Sequence, residues 1–289
     1  MKIINFGSLN IDKVCSVEEF VQPGETIMAT GYSVNAGGKG LNQSVAAARA
    51  GAQVLHAGAV GSDGLFLKEI LADAGADVSC LRVMDTESGC AFIVSAGTNR
   101  MYTEEYIKNV LEKAEAGDFV LLQNEINMVG EIIRLSHEKG CRVVFNASPI
   151  PGKPEELPLE LVDIFMVNEL EAAALAGTST EGDFRDILKA LQKKYPKAAI
   201  VMTLGKEGVF YGYKEEFYSH PIFKVNAVDT TAAGDTFCGY FLAALCAEKS
   251  VETALREASA ASAMAVSAKG AAPSIPVHSA VEEWLCGRS

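Results

Sequence analysis

Four short stretches of the chain carry residue types whose spacing suits chemistry on an anion. The first, Asn35-Ala-Gly-Gly-Lys-Gly-Leu-Asn-Gln43, opens a helix read over Leu41–Ala50. Its glycines allow close backbone approach to a ligand and positive φ. Lys39 and Asn42 set donors beside a helix N-terminus; the plain alternative is a flexible turn. The second, Val228-Asp-Thr-Thr-Ala-Ala-Gly-Asp235, leads straight into a long helix, Ala233–Ala247. Free N–H groups of Ala233, Gly234 and Asp235 at that start offer an anion site on the positive end of the helix dipole. Asp235 has two readings there. It is a first-turn acid that caps the helix, or it is a base beside a bound phosphate. In the second reading the dipole depresses its pKa and keeps it ionised, ready to take a proton from a hydroxyl. The third, Asn168-Glu-Leu-Glu171, follows an apolar run and puts Asn168 and Glu171 on one face of a first helical turn. The pair suits waters bound to Mg²⁺, which keeps most of its hydration, and equally an ordinary N-cap with an acidic turn. The fourth, Thr203-Leu-Gly-Lys-Glu-Gly208, is a glycine turn at the end of a strand.

Other signatures are absent. Ser33 and Gly40 break the P-loop pattern around Lys39, and no G-x-G-x-x-G follows the first strand. H-E-x-x-H and G-x-S-x-G are missing too. His56, His137, His220 and His278 stand far apart in sequence, each reading as a satisfied or exposed histidine rather than a ligand.

The elements that must position these residues alternate in type. Strands are read at Lys2–Phe6, Val54–Ala57, Phe119–Leu122, Arg142–Phe145, Ile164–Val167 and Ala199–Thr203. Helices are read at Leu65–Ala74, Glu104–Ala116, Val129–Lys139, Glu169–Leu175 and Phe184–Tyr195, several closed by a glycine such as Gly51, Gly75, Gly117 or Gly140. Apolar strands alternating with helices predict an α/β fold, a mostly parallel sheet covered on both faces. Ligands on such sheets sit at the carboxyl ends of the strands. Val14–Val34 and Leu81–Ala96 break the alternation and are read together as one small β-sheet, a lid. The predicted division is residues 1–12, 35–80 and 97–289 in the α/β domain, with 13–34 and 81–96 in the lid. Late in the chain come a hairpin, Gly208–Tyr213 with Glu216–Ser219, and two further helices, Val251–Ala268 and Val277–Leu285.

Composition narrows the function. The 289 residues are 49% hydrophobic and 21% charged, a globular balance, with a formal charge of −12. That charge disfavours nucleic acid or an anionic membrane as partner across a broad face. It leaves room for a small anion held by backbone N–H groups and one lysine. Cys15, Cys80, Cys90, Cys141, Cys238, Cys246 and Cys286 form no C-x-x-C and read as scattered buried thiols of a reducing compartment. No secretory leader or membrane span is read, so a cytoplasmic location is expected.

In chain order the constellation is Asn10 and Asp12, then G-G-K-G-x-N-Q, then N-x-x-E, T-L-G-x-x-G and D-T-x-A-A-G-D. This order resembles the ribokinase-like (PfkB) sugar kinases over essentially the whole chain, most closely the members that act on ribose. The resemblance implies a mostly parallel sheet with a β-lid, and transfer of phosphoryl from ATP, with Mg²⁺, to the 5-hydroxyl of D-ribose. It implies that Asp235 is the base and that Ala232, Ala233 and Gly234 form an anion hole. It implies that Asn10, Asp12, Gly38, Lys39, Asn42, Glu125 and Asp235 hold the sugar. Asn168, Thr203, Gly205, Gly208, Gly234 and Ser259 would serve the nucleotide, with Asn168 and Glu171 reaching Mg²⁺ through water. A monovalent cation, K⁺, is implied at Asp229, Thr231, Ala265, Ala268, Gly270 and Ser274, and a homodimer through the lid.

Two departures stand out. Ser259 occupies a position where many ribose-directed members have a histidine near adenine. Between the lid and the helix at Glu104, Ser95–Tyr102 passes where the family has another strand and a glycine-rich turn. Either the lid is shortened there or a mobile stretch is left out, and a shortened lid puts closure over the sugar in question. The rival expectations are a family kinase for deoxyribose, fructose or a nucleoside, a catalytically silent relative, and a nucleotide-binding dehydrogenase.

Overall fold

The computed structural model describes residues 1–91 and 95–288. Among the described residues, nine strands form one sheet in the order β12-β11-β10-β9-β8-β7-β1-β4-β5. These are β1 (Ile3–Phe6), β4 (Val54–Gly61), β5 (Asp77–Met84), β7 (Phe119–Gln123), β8 (Arg142–Asn146), β9 (Ile164–Asn168), β10 (Ala199–Thr203), β11 (Val209–Tyr213) and β12 (Glu216–His220). The strands from β10 to β5 pair in parallel, and β11 and β12 finish that edge as an antiparallel hairpin. The parallel strands are continuously apolar because helices cover both faces. Nine helices are described: α1 (Lys39–Arg49), α2 (Leu65–Asp73), α3 (Glu104–Leu111), α4 (Val129–Glu138), α5 (Glu169–Ala176), α6 (Phe184–Lys194), α7 (Ala233–Cys246), α8 (Val251–Val266) and α9 (His278–Cys286).

Alternation along the strands divides the core into two layers. Ile3, Leu121, Val144, Met166 and Val201 face α1, α2, α7, α8 and α9. Ile4, Phe6, Val120, Leu122, Phe145 and Ile200 face α3, α4, α5 and α6. Phe6, Phe145 and Phe165 are completely buried, and each such side chain contributes about 1.5–3 kcal/mol. The carboxyl ends of β1, β7, β8, β9 and β10 lie side by side, so the loops after them converge on one edge of the sheet.

A second sheet has the order β3-β2-β6, with β2 (Asn10–Ser16), β3 (Gly31–Gly37) and β6 (Gly89–Ala91). β2 and β3 pair antiparallel from Asn10 opposite Gly37 to Ser16 opposite Gly31, and β6 joins β2 in parallel. Asn10 and Ile11 are buried against the main body, and exposure rises outward to Val14, Phe20, Met28, Tyr32 and Val34. The expected boundaries are corrected here at two places. Asn10–Asp12 and Asn35–Gly37, assigned to the α/β domain, belong to β2 and β3 of the second sheet, where they pair with one another. Leu81–Met84, assigned to the lid, completes β5 and pairs with β4 from Gly58 to Gly61. Leu81 is buried in the first core layer, which holds that run to the main sheet. Of the expected lid segment, residues 92–94 lie outside the described residues.

Ser95–Tyr102 makes a compact shortcut. Ser95 bridges Cys90, and a tight turn at Gly97–Arg100 follows with Thr98 and Asn99 buried. Thr98 donates to the Ala59 carbonyl at 2.8 Å, and the Tyr102 hydroxyl donates to the Gly7 and Ala57 carbonyls at 3.0 and 3.1 Å.

α1 and α7 meet closely at Gly239, where a Cβ would stand 2.6 Å from the Ala47 nitrogen and 2.8 Å from the Gln43 carbonyl oxygen. That contact brings the starts of the two helices together. Gly239→Ala is therefore expected to destabilise the fold by roughly 1–3 kcal/mol, the usual range for overpacking. Urea unfolding checks this, and an unchanged midpoint would contradict the close contact.

Candidate active site

The glycine motif folds as its composition suggests. Gly38 precedes α1 with φ 94, a left-handed conformation, and a Cβ there would meet the Ser8 carbonyl oxygen at 2.8 Å. The loop after β1 and the start of α1 are thus pressed together. The Leu41 N–H donates to the Ser8 carbonyl at 3.0 Å and the Gly40 N–H to Ser8 Oγ at 3.2 Å. Ser8 Oγ in turn donates to Glu125 Oε2. Glu125 follows β7 and also accepts from the Lys39 N–H at 3.1 Å, with Lys39 Nζ 3.7 Å from its other oxygen. Asp12 leaves the second sheet beside this group. Burial, and then the Glu125 charge, push its carboxyl up to about 6, against the pull of Lys39. Asn10 is buried, its Oδ1 accepting from Asn99 Nδ2 at 2.7 Å.

Asp235 lies in the first turn of α7, facing α1. Asn42 Nδ2 donates to its Oδ2 at 3.1 Å, and Gln43 Nε2 to its Oδ1 at 2.9 Å. The expected depression of its pKa is not found. Burial raises it above the usual carboxylate value, with Lys39, Gln43 and Asn42 pulling back. The helix start carries a strained residue, Ala232 at φ 60. The Ala233 N–H donates to the Thr230 carbonyl at a long 3.3 Å, and a Cβ on Gly234 would enter open space.

That space is a cleft lined by Lys39, Asn146, Asn168, Glu171, Thr203, Thr230, Ala232, Ala233, Gly234 and Asp235. Asn168 and Glu171 share it while making a full capping box. Asn168 Oδ1 accepts from the Glu171 N–H at 2.9 Å, and Glu171 Oε2 from the Asn168 N–H at 3.0 Å. Both readings of that pair are thus compatible in one place. Gly205, Gly208 and Ser259 are not among the cleft's lining residues. Gly208 is packed against the His220–Pro221 backbone, with Pro221 Cα 2.9 Å from where its Cβ would be, while Gly205 faces open space. Ser259 is half-buried on α8.

The remaining expected positions fall on two adjoining loops. Asp229 joins them, one carboxylate oxygen accepting from the Thr231 N–H at 2.9 Å and the other from the Gly270 N–H at 3.0 Å. Those bonds hold its pKa below the usual value, the Thr231 side chain being the leading cause. Ala265 is buried near the end of α8, its carbonyl accepting from the Ala268 N–H at 3.1 Å. Ser274 Oγ donates to the Ala271 carbonyl at 2.9 Å. Among the described residues no three His, Cys, Asp or Glu side chains cluster as metal ligands.

The site also contains residues that motif reading missed: Ser8, Asn99, Gln123, Asn146 and the partner role of Gln43. Gln43 was within the quoted motif. Asn99 lay in the anomalous short segment, and the others sit at strand ends, where the parallel-sheet rule points.

The Asp235 carboxylate is thus gripped at a helix start by Asn42 and Gln43 and lines an open cleft. The pfkB family carbohydrate kinase pattern matches residues 1–278. The chain belongs to that family. It is 37% identical to the ribokinase of Haemophilus influenzae, over 96% of both chains. It is also 37% identical to the ribokinase of Bacillus subtilis, over 96% of this chain and 97% of that one. The structure of Arabidopsis thaliana ribokinase complexed with ribose and ATP superposes with a TM-score of 0.85 at 30% identity, covering 98% of each chain.

The raised pKa of Asp12 has a stability consequence. A carboxyl that moves from 3.8 to about 6 on folding binds more protons folded than unfolded between those values. Stability therefore falls as pH rises through that window. Asp12→Asn removes the penalty and is expected to stabilise the protein at pH 7.5 by roughly 1–2 kcal/mol, discounted for partial exposure. The gain should vanish near pH 4. Thermal unfolding at the two pH values tests this, and equal effects at both would contradict the assignment.

Proposed function

We propose that the chain is an ATP-dependent ribokinase, transferring the γ-phosphoryl group to the 5-hydroxyl of D-ribose to give ribose 5-phosphate and ADP. One observation carries the mechanism: the Asp235 carboxylate, aimed by Asn42 and Gln43, lines the cleft together with Lys39, which pairs with Glu125. A polyol needs many paired donors and acceptors, and Asn10, Asp12, Lys39, Asn42 and Glu125 would supply several. Asn42 Oδ1 is buried and has no partner among the described residues, so it suits a sugar hydroxyl.

In this reading Asp235 accepts the proton of the 5-hydroxyl as that oxygen bonds to the γ-phosphorus and the bond to the β-phosphate oxygen breaks. Burial raises its affinity for a proton, while Lys39 and the amide donors of Gln43 and Asn42 favour its ionised form. Backbone N–H groups at the start of α7, from Ala232 to Gly234, together with Lys39, meet the charge on the transferring group. Thr203 and the turn from Gly205 to Gly208 would face the nucleotide, with Ser259 on the adenine side. Asn168 and Glu171 fit Mg²⁺ through water, since Glu171 spends one oxygen on its cap and both residues line the cleft. Mg²⁺ would neutralise phosphate charge there. Asp229, ionised and bridging two loops, fits K⁺ together with the groups of Thr231, Ala265, Ala268, Gly270 and Ser274. The exposed apolar residues of the small sheet support a homodimer through that sheet. No described helix is long and apolar enough to cross a membrane, and Cys15, Cys80, Cys90, Cys141, Cys238 and Cys246 are free thiols among the seven cysteines. Two are buried, four half-buried and Cys286 exposed, fewer buried than expected. A cytoplasmic enzyme fits these features.

Three outcomes are expected. Asp235→Asn lowers kcat by roughly 10²–10⁴-fold with little change in ribose affinity by calorimetry; near-full turnover would remove Asp235 as base. In an acceptor panel read by ADP release, ribose exceeds 2-deoxyribose, fructose and adenosine in kcat/KM, each lost hydroxyl costing about 1–3 kcal/mol. A win for another acceptor would keep the kinase and reject ribose. KCl titrated at constant ionic strength raises kcat more than it lowers ribose KM, and a flat response would remove K⁺ from the mechanism.

A further inference from the structure

Behind Asp235 runs a buried chain of carboxamides that the site's motifs do not explain. Asn5 on β1, Gln43 on α1 and Gln123 at the end of β7 are at most 1% exposed. Gln123 Nε2 donates to Asn5 Oδ1 at 3.0 Å and to Gln43 Oε1 at 2.7 Å. Gln43 Nε2 donates to Asp235 Oδ1 at 2.9 Å and to Asn146 Oδ1 at 3.0 Å. Asn5 Nδ2 donates to the Gly40 carbonyl and to Ser44 Oγ, both at 2.8 Å. Ser44 Oγ and His56 Nδ1 share a hydrogen bond of 2.8 Å. The far end therefore carries no charge, since burial pushes the His56 pKa down to about 3.

We propose that Gln43 is a positioning residue for the proposed base, its carboxamide locked with the NH₂ toward Asp235 by Gln123 on one side and Asn146 on the other. This rests on the reading of Asp235 as base. The lock follows from polarity. Asn146 gives its own Nδ2 to the Met166 carbonyl at 2.8 Å, so it presents only an acceptor to Gln43. Gln123 presents only a donor. A flipped Gln43 would face two acceptor oxygens, those of Asp235 and Asn146, with its own oxygen and set two NH₂ groups against each other. Each buried group left unpaired in this way is costly. Gln123 is held likewise, because Asn5 Nδ2 is committed to Gly40 and Ser44. The β1–β7 pair of the sheet thus dictates which end of Gln43 meets the carboxylate. The bond stabilises the ionised form of Asp235 and aims one of its oxygens. Besides Asn42 and Gln43, the titratable or charged groups around Asp235 are Lys39 on α1, Glu125 after β7 and Cys238 along α7.

The test is a set of variants assayed at saturating ribose and MgATP across pH, where nucleotide ionisation is common to all. Gln43→Leu should lower kcat by about 10- to 100-fold, leave ribose KM within about threefold, and move the acid limb of kcat upward by about one pH unit, since a donor to the ionised form is lost. Gln43→Glu keeps size and the acceptor toward Gln123 but sets a second carboxyl against Asp235, so its limb should move further. This isosteric variant serves if the leucine variant fails to fold. Gln123→Met should lower kcat by about 3- to 10-fold, and Gln43→Leu with Gln123→Met should be no slower than Gln43→Leu alone, because Gln123 acts through Gln43. Variants that lose only thermal stability, with kcat within about twofold and an unmoved limb, would overturn the proposal, as would additive losses in the double variant. If Asp235→Asn is inactive while the Gln43 variants are not, this proposal alone fails; if Asp235→Asn is active, the reading of the base itself fails.

Discussion

The contact between the starts of α1 and α7 is the constraint on which the site depends. A carboxylate at a helix start is ordinarily solvated and weakly interacting. Here the close crossing at Gly239 seats Asp235 under Asn42 and Gln43, and burial raises its pKa. The raised value and the amide donors act in opposite directions. Desolvation raises the carboxylate's affinity for a proton, and Lys39 with the two amide donors pulls it back. Helix packing sets that balance, because both donors ride on α1 and the carboxylate rides on α7.

A second balance holds at Asp12 and Glu125. Two carboxyls near one another, only one of them closely paired with Lys39, are unfavourable in the folded chain without ligand. Glu125 is satisfied by Ser8 and the Lys39 N–H, and Asp12 bears the larger penalty. A set of sugar hydroxyls would supply the missing donors. Sites arranged this way gain selectivity from the cost of leaving groups unpaired, so a ligand lacking a hydroxyl loses more than the bond itself. In the proposed reading, the stability given up at Asp12 would serve discrimination among acceptors.

Much of this was legible in the sequence. The periodicity of apolar runs placed most helices and strands within a few residues, and the two glycine motifs marked the helix starts that meet. β5 was missed as part of the main sheet because Asp77–Met84 alternates, as an edge strand does, and alternation reads equally as lid. The pKa direction at Asp235 was misjudged because the helix dipole is visible in sequence whereas desolvation by α1 is a tertiary fact. Gln123 and Asn146 were illegible for a related reason. A lone amide at the end of an apolar strand carries no local signal, and its meaning comes from the neighbour that the sheet order supplies.

Asn99 shows how the short Ser95–Tyr102 connection can serve the site that its brevity called into question. Its Oδ1 accepts from the Leu9 N–H at 3.0 Å, and its Nδ2 donates to Asn10 Oδ1 at 2.7 Å. The turn at Gly97–Arg100 is anchored below by Thr98 and Tyr102 on the carbonyls of β4 and of the loop after β1. The connection therefore packs as a buried brace under the first residues of β2. Since β2 begins at Asn10 and reaches Asp12 two residues later, the brace fixes the root of the small sheet, while exposure grows toward Ser16 and Tyr32. Rigid root and exposed tip are separate properties. The placement of Asn10 depends on the first, so it survives whatever length the outer part of the sheet has.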